Sequence, residues 1–260
     1  MNTDKHGLLL SIMTLNLRFG RAEDGPNSWN NRKQRFISLF AKHRPDFIGM
    51  QEANDFQIDF LQELLKEYHF IGQRSPAPAY WQDNVVFYKK EWECSFQERF
   101  FLSHTPSVPS RLVDSKWPRQ CVIGFFKKKG TSLICANTHF DFDPDVQKQS
   151  AKFIINKLND FQKSEAPVII TGDFNAKPGS LSYQEFTSKG AFREIFHDEY
   201  SGTYHGFTGE CMKRHIDWIL YKGTLELVEK EIIAGRYHGG FPSDHFPVLA
   251  QFRIAKQSSL

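Results

Sequence analysis

Polar side chains recur at the ends of apolar runs at six places in this chain: Asn16; Glu52; His139 with Asp141; Asp173 with Asn175; Asp217; and Asp244 with His245. Together they supply hard oxygen ligands, amides and two histidines, the set used in metal-assisted hydrolysis of phosphate esters. A lone Asp or His at a strand end is more often a satisfied structural group, so the recurrence carries the weight. The densest cluster is VIITGDFNA, Val168–Ala176. Its four apolar or β-branched residues read as a buried strand that Gly172 ends. Asp173 and Asn175 follow two apart, a spacing that in extended backbone points both to one side. The alternative is an Asx-rich turn after a strand. A carboxylate here would orient a cation or a nucleophilic water, and an amide would donate to a phosphoryl oxygen without adding charge.

Magnesium keeps several waters and takes one or two protein carboxylates. Glu52 suits the first position because its neighbours Gln51 and Asn16 are neutral, and Asp244 or Asp217 would complete the site. Asp217 lies inside the apolar run HIDWIL, where an unpaired carboxylate is costly. His245 is the partner expected for it, with the carboxylate fixing the ring tautomer.

Alternating strands and helices must carry these groups. Leu8–Arg18 reads as a buried strand ending at Asn16, followed by a glycine- and asparagine-rich loop, Gly20–Asn31. Phe36, Leu39, Phe40 and His43 form one stripe of a helix that Pro45 stops. DFIGMQE is a second strand, ending at Gln51 and Glu52. Phe56, Phe60, Leu64 and Tyr68, four apart, mark a second helix. Val85–Tyr88 and Glu98–Leu102 read as strands, and Thr105–Lys116 as a long loop. Cys121–Phe126 and Leu133–Asn137 form a hairpin around the Lys-Lys-Lys-Gly turn. A helix spans about Val146–Phe161, and Pro178-Gly179-Ser180 starts another that runs through Phe186. A loop covers Tyr200–Gly209. Ile216–Tyr221 and Leu225–Ile233 suggest a second hairpin around Lys222-Gly223. Another loop, Gly235–Asp244, leads to a last strand, Pro247–Ile254. The pattern predicts a layered α/β (α+β) fold, with residues 1–260 as one domain.

The 260 residues are 40% hydrophobic and carry a net charge of +3, from 33 basic and 30 acidic side chains. That composition suits a globular chain with an ample core. It is too balanced to indicate nucleic acid or an anionic membrane by bulk charge. Cys94, Cys121, Cys135 and Cys211 show no C-x-x-C spacing, which argues against a zinc site or a disulfide framework. No run reaches transmembrane length, and Leu8–Met13 is short for a secretory signal. A soluble, cytoplasmic, monomeric protein is expected.

The motifs TLNLR, MQE, NTHFD, TGDFNA, HIDWIL and SDHFPV, in this order from Thr14 to Val248, resemble the endonuclease/exonuclease/phosphatase superfamily that includes pancreatic-type deoxyribonuclease. NSWNNR (Asn27–Arg32) and GTYHGF (Gly202–Phe207) look most like a bacterial subgroup of nucleases or phosphatases. The resemblance implies a four-layered α/β sandwich, two packed mixed sheets with helices outside. It also implies Mg²⁺- or Mn²⁺-dependent hydrolysis of a phosphodiester or phosphomonoester by water attack on phosphorus. By position, Glu52 would be the principal metal ligand, with Asn16 helping to hold it and Asp244 a metal-site carboxylate. Asp173 would orient the attacking water or the metal, and Asn175 would contact the phosphate. His245, oriented by Asp217, would be the general base or transition-state stabiliser, and His139 would bind the scissile phosphate or assist the leaving group.

Two departures stand out. Arg18 occupies a position that is acidic in repair-type members. The stretch Gln82-Asp83-Asn84 stands where deoxyribonuclease-type members place a Glu against the histidine of NTH; either Asp83 serves, or Gln82 is the aligned residue and no carboxylate does. Arg32, Arg119 and His205 are candidates for a non-scissile phosphate, and Asp141 and Trp117 complete the substrate-facing set. Trp29, Tyr80, Trp81, Tyr204 and Phe207 join Trp117 as loop aromatics able to stack on a base or sugar. The short, nearly neutral chain favours a small phosphorylated or phosphodiester substrate, a sugar- or lipid-linked phosphodiester included, over long duplex DNA. A catalytically silent member acting as a phosphate-ligand or protein-binding module is the alternative. It predicts loss of the metal Glu or the terminal His, and both are present.

Overall fold

The computed structural model describes residues 7–161, 165–197, 201–210 and 214–254. Tyr200 and Cys211 lie outside them. Two six-stranded mixed sheets pack face to face. The first contains β1 (Leu8–Asn16), β2 (Phe47–Ala53), β3 (Tyr68–Ile71), β4 (Asp83–Lys89), β11 (Leu225–Ile232) and β12 (Val248–Ile254). Its order is β11-β12-β1-β2-β4-β3. The second contains β5 (Glu93–Phe101), β6 (Gln120–Lys128), β7 (Thr131–His139), β8 (Val168–Asp173), β9 (Arg193–Glu194) and β10 (Asp217–Lys222), in the order β5-β6-β7-β8-β10-β9. One parallel pair lies at the centre of each, β1 with β2 and β7 with β8.

Strand alternation explains the layers. Leu10, Ile12, Cys135, Ile169 and Ile219 share the core between the sheets. Met13 and Leu15 face outward onto α1 (Trp29–Lys42) and α2 (Asp55–Leu64). Ile134, Ile170 and Leu220 face α3 (Pro144–Asn159) and α4 (Leu181–Gln184). Both faces of the central strands are buried, which is why these strands read as unbroken apolar runs. The result is the four-layered sandwich. The same period of two sends Asn16, His139, Asp173 and Asp217 to the inter-sheet side, since each is an even number of residues from a member of that inner core. Strand register finishes the placement: His139 pairs with Asp173, and Asp173 with Asp217, in one row across the second sheet.

A buried polar cluster ties the sheets together just below that row. Asn137 donates to the carbonyls of Met50 (2.8 Å) and Val85 (2.9 Å). Its Oδ1 accepts from Gln51 Nε2 (2.7 Å) and Thr171 Oγ1 (3.2 Å). Gly49 lets the sheets approach here, because a Cβ would overlap Thr171 Oγ1 and come within 2.9 Å of Asn137 Oδ1. Gly49→Ala should therefore destabilise the protein by about 1–3 kcal/mol, the scale of overpacking. Urea unfolding measures this; an unchanged midpoint would show that the sheets can separate freely at this level.

Several expectations need correction. Lys222-Gly223 does not close a hairpin: β10 pairs with β8 and β9, whereas β11 pairs with β12 in the other sheet. Gly223, with φ +94°, does make a turn, but the turn carries the chain between sheets. Tyr68 is not on a helix; α2 ends at Leu64 and Tyr68 opens β3. The end of the Gly20–Asn31 loop is helical: a 3-10 turn covers Gly25–Asn27 and α1 begins at Trp29. The strand expected over Glu98–Leu102 starts five residues earlier, at Glu93. After α4 the helix widens into a π-type turn over Glu185–Lys189.

Candidate active site

The end of β1 and the end of β2 meet the row His139–Asp173–Asp217 across the sheet interface. Glu52 sits at a register irregularity between Met50 and Ala53, in left-handed backbone with φ +60°. That conformation is strained for a residue with a side chain, by about 1–3 kcal/mol. The Phe19 amide donates to its Oε2 at 2.6 Å and holds the carboxylate at the interface. Asn16 Nδ2 bridges two carboxylates, donating to Glu52 Oε1 (3.3 Å) and Asp173 Oδ2 (2.9 Å). The Arg18 amide donates to Asn16 Oδ1 at 2.7 Å, which fixes which end of the side-chain amide faces the acids.

Asp173 and Asn175 converge by a turn and not by extended geometry. Asn175 has φ +49°, and its amide donates to Asp173 Oδ1 at 2.9 Å, an Asx-type closure. Asn175 Nδ2 donates to the Phe140 carbonyl (3.0 Å) and lies 3.1 Å from His139 Nε2. An NH₂ group on Nδ2 makes His139 Nε2 an acceptor, so the ring is neutral with its proton on Nδ1. Burial, reinforced by the charges of Arg119 and His245, likewise holds the His139 pKa well below the usual histidine range. Asp83 is not its partner. That carboxylate accepts from Trp81 Nε1, the Arg74 amide and Gln120 Nε2. Among the described residues, the carboxylates within 4.0 Å of His139 Nε2 are Asp173 (3.5 Å) and Glu52.

His245 is held on both sides. Its Nδ1 meets both oxygens of Asp217, at 2.9 and 3.1 Å, and Tyr204 packs edge-on against its ring. Its Nε2 points toward Asp173 Oδ2, 3.8 Å away. Burial opposes charge on this ring, but Asp217, Asp173 and Asp244 outweigh it and raise its pKa well above the usual value. Beside this pair, Arg18 binds Asp24 through two bonds and places Nε 3.8 Å from Asp244 Oδ2.

Asp173, Asp217 and His245 offer ligand atoms that all lie within 4.8 Å of one another. Asp217 commits both oxygens to His245 Nδ1, so the oxygens left for a hard cation belong chiefly to Asp173 and Glu52. Burial pushes the Asp173 carboxyl up to about 7, and Asp217 adds to the rise against the charge of His245. A buried site rich in carboxylate oxygens suits a hard divalent cation. The pH dependence follows. Asp173 and His245 both have folded pKa values raised above their unfolded ones, so without metal the contribution of Asp173 falls as pH rises from about 4 through 7 and that of His245 falls above about 6.5. A bound dication offsets that loss. The melting-temperature gain on adding Mn²⁺ should be larger at pH 8 than at pH 5, as read by differential scanning fluorimetry. An equal gain at both would place the cation elsewhere.

The substrate-facing candidates divide. Arg32 is fully buried, and its guanidinium binds the carbonyls of Leu17 (2.7 Å), Pro242 (2.8 Å) and Arg18 (2.8 Å). It braces the loops that carry Arg18 and Asp244 and does not face a ligand. His205 is also buried, stacked on Phe246 at 4.0 Å, and its amide donates to the Asp244 carbonyl at 2.9 Å. Burial lowers its pKa to about 4, so it is a neutral prop beneath Asp244. Asp141 spends its carboxylate on Ser115 Oγ and on the amides of Lys116, Trp117 and Phe142. It shapes the loop before Arg119, 3.8 Å from that side chain. Arg119 and Trp117 line a cleft of about 450 Å³ that reaches His139, Trp117 exposed and Arg119 buried. Sequence reading passes over the Asn137–Thr171–Gln51 cluster and the Arg18–Asp24 pair, and no local pattern announces either.

Comparison with known proteins places this geometry. Human Nocturnin is 25% identical over 261 residues, covering 88% of this chain and 59% of Nocturnin; the chain thus spans under two thirds of that relative. An endonuclease/exonuclease/phosphatase family protein from Bacteroides thetaiotaomicron superposes with a TM-score of 0.88 at 26% identity, covering 95% of this chain and 98% of that one. The mannosyl-6-phosphatase of the same organism gives a TM-score of 0.87 at 27% identity over 94% of this chain and all of its own. The model of the Endonuclease/Exonuclease/phosphatase family matches residues 13–245, and the chain belongs to that family.

Proposed function

We propose that this protein hydrolyses the phosphate ester of a small organic molecule with the help of Mg²⁺ or Mn²⁺. The observation that carries the reading is the convergence of Glu52 from one sheet with Asp173, His139 and the Asp217–His245 pair from the other. A silent binding module would have no use for a buried carboxylate–imidazole pair aimed at a third carboxylate. The cation would be held by Glu52 and Asp173, bridged by Asn16, with Asp244 completing the acidic rim. When bound it supplies positive charge to the phosphoryl oxygens.

The chain's own groups divide the rest of the work. Asp173 orients the water for in-line attack on phosphorus. His245, kept cationic by Asp217, stabilises charge developing on the phosphoryl oxygens, which favours that role over the general base. A phosphoryl oxygen entering beside His139 would take the Asn175 hydrogen now given to its Nε2. Arg119 supplies a further cation to the cleft it lines, with its Nε 3.8 Å from Asp141 Oδ2 and making no hydrogen bond. One structural neighbour is a mannosyl-6-phosphatase, and the nearly balanced charge here likewise favours a small phosphomonoester over a polynucleotide. Residues 1–260 would act as one catalytic domain, and the buried free thiols of Cys121 and Cys135 suit a reducing, cytoplasmic setting.

Phosphate release from small phosphomonoesters, compared with nucleotide release from oligonucleotides in the same Mg²⁺ buffer, tests the substrate class. Faster turnover of oligonucleotides would reverse it. Arg119→Lys should raise KM about tenfold with the melting temperature held, because an ammonium lacks the planar fork of a guanidinium. A KM unchanged by this substitution would reduce Arg119 to a structural role.

A further inference from the structure

The cleft beside His139 is built for more than a phosphate. Its walls are Phe19, Tyr80, Trp81, Trp117 and Pro118, Arg119 and His139 line it too, and no carboxylate does among the described residues. Two indoles on separate segments face one cavity, and each is held from behind. Trp81 donates its Nε1 proton to Asp83 at 2.7 Å, and the guanidinium of Arg74 lies 4.4 Å from its ring centroid. Asp83 is fully buried and receives two further hydrogen bonds, from the Arg74 amide at 3.0 Å and Gln120 Nε2 at 3.3 Å. This carboxylate is therefore a positioning group for the indole. Trp117 is 54% exposed, but its backbone is pinned by Asp141 and Ser115, and Lys116 Nζ sits 5.6 Å from its ring. Large aromatic surface left accessible on a fixed loop is costly unless it meets a ligand.

The polar groups near these rings are mostly spent on the protein itself. Asn84 Nδ2 donates to the Gln120 carbonyl, and Gln120 Nε2 to the Gln82 carbonyl and Asp83. Arg119, with a side chain only 9% exposed, is less fully committed: its Nε makes no hydrogen bond and lies 3.8 Å from Asp141 Oδ2. Recognition in the cleft thus rests on apolar faces, with one cation toward the phosphate.

We propose that Trp81 and Trp117 form the leaving-group subsite, and that the substrate's alcohol carries a ring whose flat apolar face stacks on these indoles. This rests on the phosphoester-hydrolase reading for the position of the phosphorus. The shared chemistry is the stacking face, which a pyranose presents through its C–H bonds and a nucleobase through its π surface. A charged or acyclic leaving group gains nothing from such walls.

Calorimetric titration of the full chain with metal chelated separates these cases without turnover. The probes are glucose 6-phosphate, adenosine 5′-monophosphate and glycerol 3-phosphate, which share a phosphate and differ in the ring. At least one ring compound should bind about tenfold or more tightly than glycerol 3-phosphate, and Trp117→Ala should remove that advantage. The compound that wins tells which kind of ring face the walls read. Trp81→Phe, which keeps the apolar face but loses the bond to Asp83, should retain part of it. Equal affinities for all three probes, or a ring advantage that persists in Trp117→Ala, would overturn the proposal. Tight ring binding with no phosphate released after Mg²⁺ is restored would instead count against the hydrolase reading and leave the subsite standing.

Discussion

Replacing His245 with alanine should lower kcat by about 10²–10⁴-fold, the usual scale for a positioned proton-transfer or charge-stabilising group. The ring is locked between Asp217 and Tyr204 with its free nitrogen toward Asp173, so no neighbouring group can swing into its place. Asp217→Asn should cost less. The ring remains, but the amide no longer supports a positive charge on it. The double mutant should be little worse than His245→Ala alone, because residues that act as a unit are not additive. Fully multiplicative losses in steady-state kinetics would show that the two act separately.

Glu52→Gln is expected to be nearly as damaging, through the cation. The substitution keeps the shape at a strained backbone position, φ +60°, while removing the charge. Affinity for Mn²⁺ should fall by more than the roughly 10–100-fold typical of losing a group that merely supports a ligand. Calorimetry at pH 8 measures it directly. The Phe19 amide would still find an acceptor at this side chain, so the fold should survive. Unchanged affinity together with unchanged turnover would remove Glu52 from the site.

Much of this arrangement is legible in the sequence because strand alternation is a strong constraint. Once Leu10, Ile12 and Ile169 are read as one face, Asn16 and Asp173 must lie on that face as well. The ends of apolar runs therefore locate most of the candidate groups. What the sequence does not show is the burial of individual polar side chains. Arg32 and His205 carry the right chemistry for a phosphate, yet both are props inside the loops, and their hydrogen-bond partners lie on distant segments. Motif position offers Asp83 as a partner for His139, but strand register aims it at Trp81 instead. The Lys222-Gly223 turn fails as a hairpin for a related reason. A two-residue turn signal is local, and whether the next strand returns to the same sheet is decided by the pairing of β11 with β12.

The role expected of Asn175 shows the same limit on a smaller scale. Its spacing from Asp173 suggests a shared side of an extended strand, whereas a left-handed turn brings the two together. The side chains converge, and the backbone route differs. Asn tolerates that conformation better than most residues, so the residue type is a clue to the turn as much as to the chemistry.

Hydrolysis of a small phosphomonoester in ¹⁸O-labelled water, with Mg²⁺ present and then chelated, tests the central claim most directly. Water attack on phosphorus at this site predicts phosphate release that depends on the cation, with the label in the inorganic phosphate. Release that is indifferent to the cation, label in the alcohol, or no release from a panel of small phosphomonoesters would contradict it.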